Sequence, residues 1–164
     1  MEGLETRKEP FMQAKDLMTP DPTTCSPSDD LKSVIEVMRE EDCGIVPITE
    51  GNGENRVVGV VTDRDIALHL GETDQAPSEI QVSEVMTTNI VACEPDAEVH
   101  EVSRKMQEAQ VRRVLITEGG RLKGVISTAD LARASSSRSD KDQVGNEVER
   151  VMEKVSEETP GKRA

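Results

Sequence analysis

Two kinds of hydrophobic periodicity alternate along this chain of 164 residues. Leu31, Val34 and Met38 recur at the spacing of one helix face. Two short runs rich in valine and isoleucine, residues 45–49 and 56–61, then flank a Gly-Asn-Gly turn and predict a β-hairpin. A short extended stretch precedes the helix, and a second helical pattern follows the hairpin. The pattern therefore predicts the order strand, helix, strand, strand, helix.

The same order of elements returns in the second half of the chain. Residues 15–19 are echoed by residues 83–87, and Cys25 has its counterpart 68 residues later in Cys93. A three-residue deletion in the second hairpin then reduces the shift between the copies to 65. Since one small unit can rarely bury its apolar face alone, two copies predict a pseudo-twofold object that shares a core.

These patterns divide the chain into five predicted segments. The first repeat is predicted for residues 14–70 and the second for residues 81–134, with a polar linker at residues 71–80 between them. A flexible lead at residues 1–13 precedes them, and a Ser-rich break with a final amphipathic helix follows at residues 135–164. The final helix is indicated by one apolar face, formed by Val144, Val148, Val151, Met152 and Val155.

Composition excludes several classes of function. The formal net charge is −13 and aromatic residues make up 1% of the chain, a combination that disfavours nucleic acid binding. No apolar run approaches the roughly 18 residues of a membrane span, and the first residues lack signal-peptide features, so we expect a cytoplasmic protein. Three cysteines without CxxC spacing indicate a reducing compartment, and the repeat partners Cys25 and Cys93 are expected to be small buried residues.

The strongest local pattern lies where the last strand of each repeat runs into a helix. A hydroxyl stands at each junction with a carboxylate three residues on: Thr62 with Asp65, and Ser127 with Asp130. This spacing is typical of a capping box, which is purely structural. It equally suits a nucleotide, because a helix N-terminus attracts phosphate and a nearby carboxylate can accept ribose hydroxyls. The spacing alone leaves both interpretations open.

Reactive constellations are not evident in the sequence. His69 and His100 stand at unrelated places in the repeat and show no ligand spacing, so neither a metal site nor a catalytic triad is predicted. We therefore expect no catalytic residues, and the protein is not expected to be an enzyme.

Both repeats resemble cystathionine-β-synthase (CBS) domains, and the pair resembles a Bateman module. The resemblance rests on motifs at residues 16–20, 45–48 and 59–65 and, in the second copy, at residues 84–87, 111–116 and 124–130. It spans about residues 14–134. It implies an α+β fold in which two βαββα units pack sheet to sheet with pseudo-twofold symmetry and clefts between them, followed here by the C-terminal helix.

The resemblance also implies a set of ligand-binding residues. Asp65 and Asp130 would hold ribose hydroxyls, and Thr62 and Ser127 would touch phosphate. The base would lie among Thr24, Ile45, Val46 and Pro47 in the first copy, or among Ala92, Arg113 and Val114 in the second. The candidate phosphate cations are Arg64, Arg112 and Arg113, for which solvated surface charge is the alternative.

The two copies differ within these motifs. The second has Leu115 where the first has Pro47, and Ala129 where the first has Arg64. We therefore expect the first site to be the better of the two.

The leading hypothesis from the sequence is a stand-alone regulatory CBS pair. It would bind an adenine nucleotide (AMP, ADP or ATP) between the repeats and signal occupancy to an unnamed partner or within its own homodimer. The alternatives are a ligand-independent structural or dimerisation module and a sensor of S-adenosylmethionine.

Overall fold

The computed structural model describes residues 11–137 together with Arg150, Glu153 and Lys154. The predicted lead over residues 1–13 lies mostly outside these described residues. The amphipathic face predicted within residues 135–164 also lies outside them.

Short helices and strands alternate through the described chain. The helices are α1 Ala14–Leu17, α2 Leu31–Glu40, α3 Asp63–Leu70, α4 Val82–Val85, α5 Val99–Ala109 and α6 Thr128–Ser137, with a 3₁₀ helix at Pro77–Glu79. The strands are β1 Thr19–Pro20, β2 Ile45–Glu50, β3 Arg56–Thr62, β4 Ala92–Cys93, β5 Arg113–Glu118 and β6 Arg121–Ser127. In the first repeat, the expected leading strand is reduced to an isolated parallel bridge between Cys25 and Ile48. The predicted α+β class is confirmed, and the order helix, strand, strand, helix recurs in both repeats.

Six strands form one sheet in the order β2-β3-β6-β5-β4, with β1 paired to β6. The hairpins β2–β3 and β5–β6 are antiparallel, and they join through the pair Arg56 and Arg121. Away from this junction the repeats meet in an aliphatic cluster centred on Val60, Leu115 and Leu122. The central seam of the molecule therefore contains side chains from both copies.

The segment that leads into each repeat packs on the other repeat. Ala14 of α1 lies in the core of the second repeat, whereas Val82 of α4 lies in the core of the first, and both are fully buried. Strand β1 pairs with β6, and Thr87, which follows α4, pairs with Val60 of β3. Each copy is thus completed by a segment of its twin, which binds the two repeats into one unit.

Two aliphatic cores lie under the hairpins, one in each repeat. Cys25 and Cys93 are buried in them as free thiols, as predicted. Burial raises the pKa of the Cys25 thiol to about 11, and the neighbouring carboxylates of Asp29 and Asp30 act in the same direction. This thiol is therefore protonated and unreactive at neutral pH.

Helix α6 continues through Ser137, three residues past the predicted end of the second repeat at residue 134. Serine is only mildly unfavourable in a helix, and no glycine or proline stands at positions 134–137 to end it.

The described helices are short. The longest, α5, has 11 residues, whereas a membrane-spanning helix needs about 20 apolar ones. Within the described residues, no helix combines the length and hydrophobicity required to cross a bilayer.

Candidate functional site

The junction between β3 and α3 forms a complete capping box. The backbone N–H of Thr62 donates to Oδ2 of Asp65 over 2.9 Å, and the Thr62 hydroxyl donates to the same oxygen over 2.7 Å. In return, the backbone N–H of Asp65 donates to Oγ1 of Thr62 over 3.2 Å. The structural interpretation of this motif is therefore realised in the first repeat.

The junction between β6 and α6 repeats this arrangement and adds a cation. Ser127 donates to Oδ2 of Asp130 from its backbone N–H and from its hydroxyl, each over 2.7 Å. The guanidinium of Arg133 donates to the other carboxylate oxygen, Oδ1. The residue equivalent to Arg133 in the first repeat is Leu68, so the two junctions differ in charge.

The first N–H group of each of these helices is already satisfied. The N–H of Asp63 donates to the carbonyl of Gly44 over 3.2 Å, and that of Thr128 donates to the carbonyl of Arg112 over 3.0 Å. These bonds fix the start of each helix beside the start of the first hairpin strand in the same repeat.

The next N–H group distinguishes the two helices. In α3, the N–H of Arg64 donates to Oδ1 of Asp63 over 2.8 Å. In α6, the N–H of Ala129 donates no hydrogen bond to any described residue. The second junction therefore offers an anion a backbone donor that the first junction has already used.

A cleft of about 490 Å³ opens between the repeats beside this second junction. Its wall from the second repeat carries Ser127 and Asp130 together with the three arginines Arg112, Arg113 and Arg133. Carboxylate, hydroxyl and guanidinium groups thus share one surface, which suits a ligand that has both hydroxyl and anionic groups.

Gly44 leaves room for one of these arginines. A Cβ atom at this position would lie 2.8 Å from Nη2 of Arg113 and 2.9 Å from Oδ2 of Asp63. The Arg113 guanidinium therefore packs directly over the glycine of the opposite repeat.

The opposite wall of the cleft comes from the first repeat. It includes the acidic end of α2, Glu41 and Asp42, followed by Cys43 and Ile45. The Thr23 hydroxyl donates to Oε1 of Glu41 over 3.1 Å. Partial burial raises the pKa of the Cys43 thiol, so this thiol is neutral near pH 7.

Some of the predicted ligand-binding residues meet in this cleft. Those that line it are Ile45, Arg112, Arg113, Ser127 and Asp130. The sequence grouped Ile45 with Asp65 of its own repeat, but the structure places it across the cleft from Asp130. The reason is that the cleft lies between the repeats and draws one wall from each.

Val46 and Val114, which the resemblance places near the base, are not among the residues that line this cleft. Both side chains are fully buried in the repeat cores. Successive residues of a strand point to opposite faces, so when Ile45 and Arg113 face the cleft their neighbours face the core.

The remaining predicted residues lie elsewhere than the walls of this cleft. Pro47 is buried in β2, and its carbonyl accepts the N–H of Cys25. The Thr24 hydroxyl accepts a hydrogen bond from that of Thr49, and Ala92 belongs to the seam between the repeats. The other predicted residues, Thr62, Arg64 and Asp65, lie at the start of α3 and do not line this cleft.

Sequence reasoning missed Arg133 and the acidic wall. Arg133 follows Asp130 by three residues, a spacing that places both on one helix face. That spacing is a usable signal for Arg133. The equivalent residue in the first repeat is Leu68, however, so a search for residues shared by the two copies does not find Arg133. Glu41 and Asp42 carry no motif in the sequence, because acidic residues at a helix end are ordinarily solvated.

Metal ligands do not cluster in the described part of the chain. No group of three or more His, Cys, Asp or Glu side chains is arranged there to hold an ion.

Comparison with known proteins identifies the repeats. The CBS domain model matches residues 14–72 and 82–137. The uncharacterized protein YlbB of Bacillus subtilis is 35% identical over 118 residues, which cover 72% of this chain and 78% of that protein. The structure of Hypoxic Response Protein I with two coordinated zinc ions superposes with a TM-score of 0.66 at 30% identity, over 74% of this chain and 98% of that one.

A third similarity concerns the fold alone. The structure of CBSX2 in complex with AMP has a TM-score of 0.64 at 24% identity and covers 76% of this chain and 96% of that one.

Proposed function

We propose a ligand-binding regulatory role for this chain, which belongs to the CBS domain family and carries two copies of the domain in tandem. The ligand is an adenine nucleotide (AMP, ADP or ATP) held in the cleft between the repeats. The observation that carries the proposal is the meeting of Ser127, Asp130 and three arginines on one wall of that cleft.

The chemistry of this wall matches the two polar parts of a nucleotide. The Asp130 carboxylate can accept hydrogen bonds from vicinal ribose hydroxyls, as acidic residues do in other nucleotide sites. Guanidinium groups bind phosphate through paired, charge-assisted hydrogen bonds, which Arg112 and Arg113 can donate. A volume of about 490 Å³ lies within the usual range for small-molecule sites.

The base requires an apolar surface, and the cleft supplies an aliphatic one. Val37, Ile45 and Val125 line it, and the whole chain contains a single Phe and no Trp or Tyr. Burial of the base against these side chains would contribute through the hydrophobic effect rather than through aromatic stacking.

Binding in this cleft offers a simple route to a signal. One wall belongs to each repeat, so an occupied cleft ties the repeats together and an empty one leaves them linked by the protein's own contacts. We propose that a partner protein or a second copy of the chain senses this difference. The exposed Phe11 and Leu68 are large apolar side chains suited to such contacts.

We also propose a cytoplasmic location for the protein. Its three cysteines are free thiols, which suits a reducing compartment.

A second candidate function is a ligand-independent structural module. It is favoured by one observation, the two complete capping boxes, because their hydroxyls and carboxylates already have partners within the protein. On this interpretation, Thr62, Asp65, Ser127 and Asp130 only stabilise helix starts.

A thermal-shift series with AMP, ADP, ATP and S-adenosylmethionine distinguishes the two functions. A ligand that binds only the native state at 100 times its Kd stabilises it by about 2.7 kcal/mol. That corresponds to a rise in Tm of several degrees for a domain of this size. We expect the rise with at least one adenine nucleotide and none with inorganic phosphate alone. A flat series at millimolar concentrations of all four ligands would favour the structural module.

A further inference from the structure

We propose that Arg133 is a specificity-determining residue of the cleft and that it selects phosphorylated nucleosides over adenosyl compounds that lack a phosphate. This inference rests on the proposed function, because it concerns the same cleft. It extends that function by assigning a role to a residue outside the shared repeat motif.

Arg133 is positioned to reach both a carboxylate and a ligand. It lies one helical turn beyond Asp130 on α6, and side chains of a helix lean towards its N-terminus, where the cleft opens. Its guanidinium donates to Oδ1 of Asp130 and also lines the cleft.

The two partners of this ion pair differ in freedom. The Asp130 side chain is 12% exposed, and its other oxygen is held by the backbone and hydroxyl of Ser127. The Arg133 side chain is 72% exposed. The carboxylate is therefore held by the fold, whereas most of the Arg133 side chain is exposed to solvent.

Ribose hydroxyls that bind Asp130 compete with Arg133 for Oδ1. Loss of the ion pair costs little, because a pair with one solvated member contributes about 0–1 kcal/mol. A nucleotide offers the displaced guanidinium a phosphate in exchange, and such charge-assisted bonds are stronger. A nucleoside without phosphate also displaces Arg133 from the Asp130 carboxylate, but it provides no anionic group for the guanidinium to bind.

The other charges on the second-repeat wall act in the same direction as Arg133, whereas the acidic Glu41 and Asp42 lie on the opposite wall. Arg112 and Arg113 lie on the same wall, so an anionic group meets several guanidiniums. The sulfonium of S-adenosylmethionine would bring a positive charge towards them, and a like-charge approach is a common means of rejecting the wrong ligand.

The chain itself suggests the informative substitution, Arg133→Leu, which copies Leu68 of the first repeat. Binding of AMP, adenosine and S-adenosylmethionine should be measured by titration calorimetry on the full chain. The wild-type protein should prefer AMP to the other two. Arg133→Leu should weaken the binding of AMP by about 10-fold or more, as expected for a lost hydrogen bond to a charged group. It should leave the affinity for adenosine within about 3-fold of the wild-type value.

Two further variants control this result. Arg133→Lys keeps the charge and should retain part of the preference for AMP. Arg104→Leu removes one positive charge from α5, where Arg104 pairs with Glu108 on the surface and takes no part in the cleft wall. It should leave all three affinities unchanged, which separates a local contact from a change in net charge.

The possible failures are distinguishable. If the wild type binds AMP but Arg133→Leu weakens AMP and adenosine by the same factor, or affects neither, the role of Arg133 is wrong and the proposed function stands. If the wild type binds none of the three compounds and also neither ADP nor ATP, the proposed function fails and this inference fails with it.

Discussion

Replacement of Gly124 by alanine is expected to lower the free energy of unfolding by about 2–3 kcal/mol, the upper part of the range for overpacking a filled core. A Cβ atom there would lie 2.6 Å from Sδ of Met18 and 2.8 Å from the carbonyl oxygen of Thr19. The methionine could move aside, but the carbonyl belongs to β1, which is paired to β6 at this position. The methyl group therefore pushes α1 and β1, the leading segment of the first repeat that packs on the second repeat, away from β6.

The repeat supplies matched variants for this prediction. At Gly59, a Cβ atom would lie 2.9 Å from the carbonyl oxygen of Thr87, so Gly59→Ala should be destabilising for the same reason. Gly71 has an ordinary φ of −72° and no neighbour closer than 3.4 Å, so Gly71→Ala should change stability by no more than about 0.5 kcal/mol. Urea denaturation measures all three. Equal effects at Gly124 and Gly71 would refute the exchange of segments.

Substitution of Asp130 by alanine is expected to weaken nucleotide binding by about 100-fold or more. The carboxylate is proposed to accept two ribose hydroxyls, and each hydrogen bond to a charged acceptor contributes about 1.5–3 kcal/mol. The variant also loses the reciprocal cap at the start of α6, which costs about 1 kcal/mol of stability. Titration calorimetry measures the first effect, and unfolding without ligand measures the second.

The control for Asp130→Ala is its twin, Asp65→Ala. Asp65 makes the same cap contacts at α3 but lies away from the walls of the cleft described above. Both variants should lose similar stability, and only Asp130→Ala should lose affinity for the ligand bound there. If Asp65→Ala abolishes binding while Asp130→Ala spares it, the ligand occupies the first junction. If neither changes affinity, the two carboxylates are structural caps.

Much of the fold could be predicted because it is encoded in local patterns. Helical spacing around Val34 and the short valine- and isoleucine-rich runs of β2 and β3 specify each element through short-range preferences. The exchange of the leading segments could not be predicted in this way. Residues 15–19 and 83–87 are so alike that nothing local indicates on which repeat each one packs, and the choice depends on contacts distant in sequence.

The same limit applies to the site. The hydroxyl and carboxylate of Ser127 and Asp130 could be found because their spacing is local. The residues opposite them in the cleft could not be predicted, because Ile45 belongs to the other repeat and is brought there only by the packing of the two copies. The strand register that sends Val46 and Val114 into the cores follows from alternation, but its phase is set by tertiary packing.

The expected ranking of the two sites also depended on local comparison. The first copy was favoured because it retains Arg64 and Pro47. In the folded protein, the described cleft adjoins Ser127 and Asp130, where Arg133 is added and the Ala129 N–H remains available. The difference between the copies therefore involves Arg133, which lies outside the shared motif, as well as Ala129, which lies within it.

A crystal structure of the full chain grown with AMP would show whether the cleft between the repeats is a nucleotide site built on Asp130. We expect the ribose hydroxyls to lie within hydrogen-bond distance of the Asp130 carboxylate and the phosphate to contact the arginines on the same wall. Nucleotide density at the start of α3 alone, or an empty cleft under saturating AMP, would contradict this expectation.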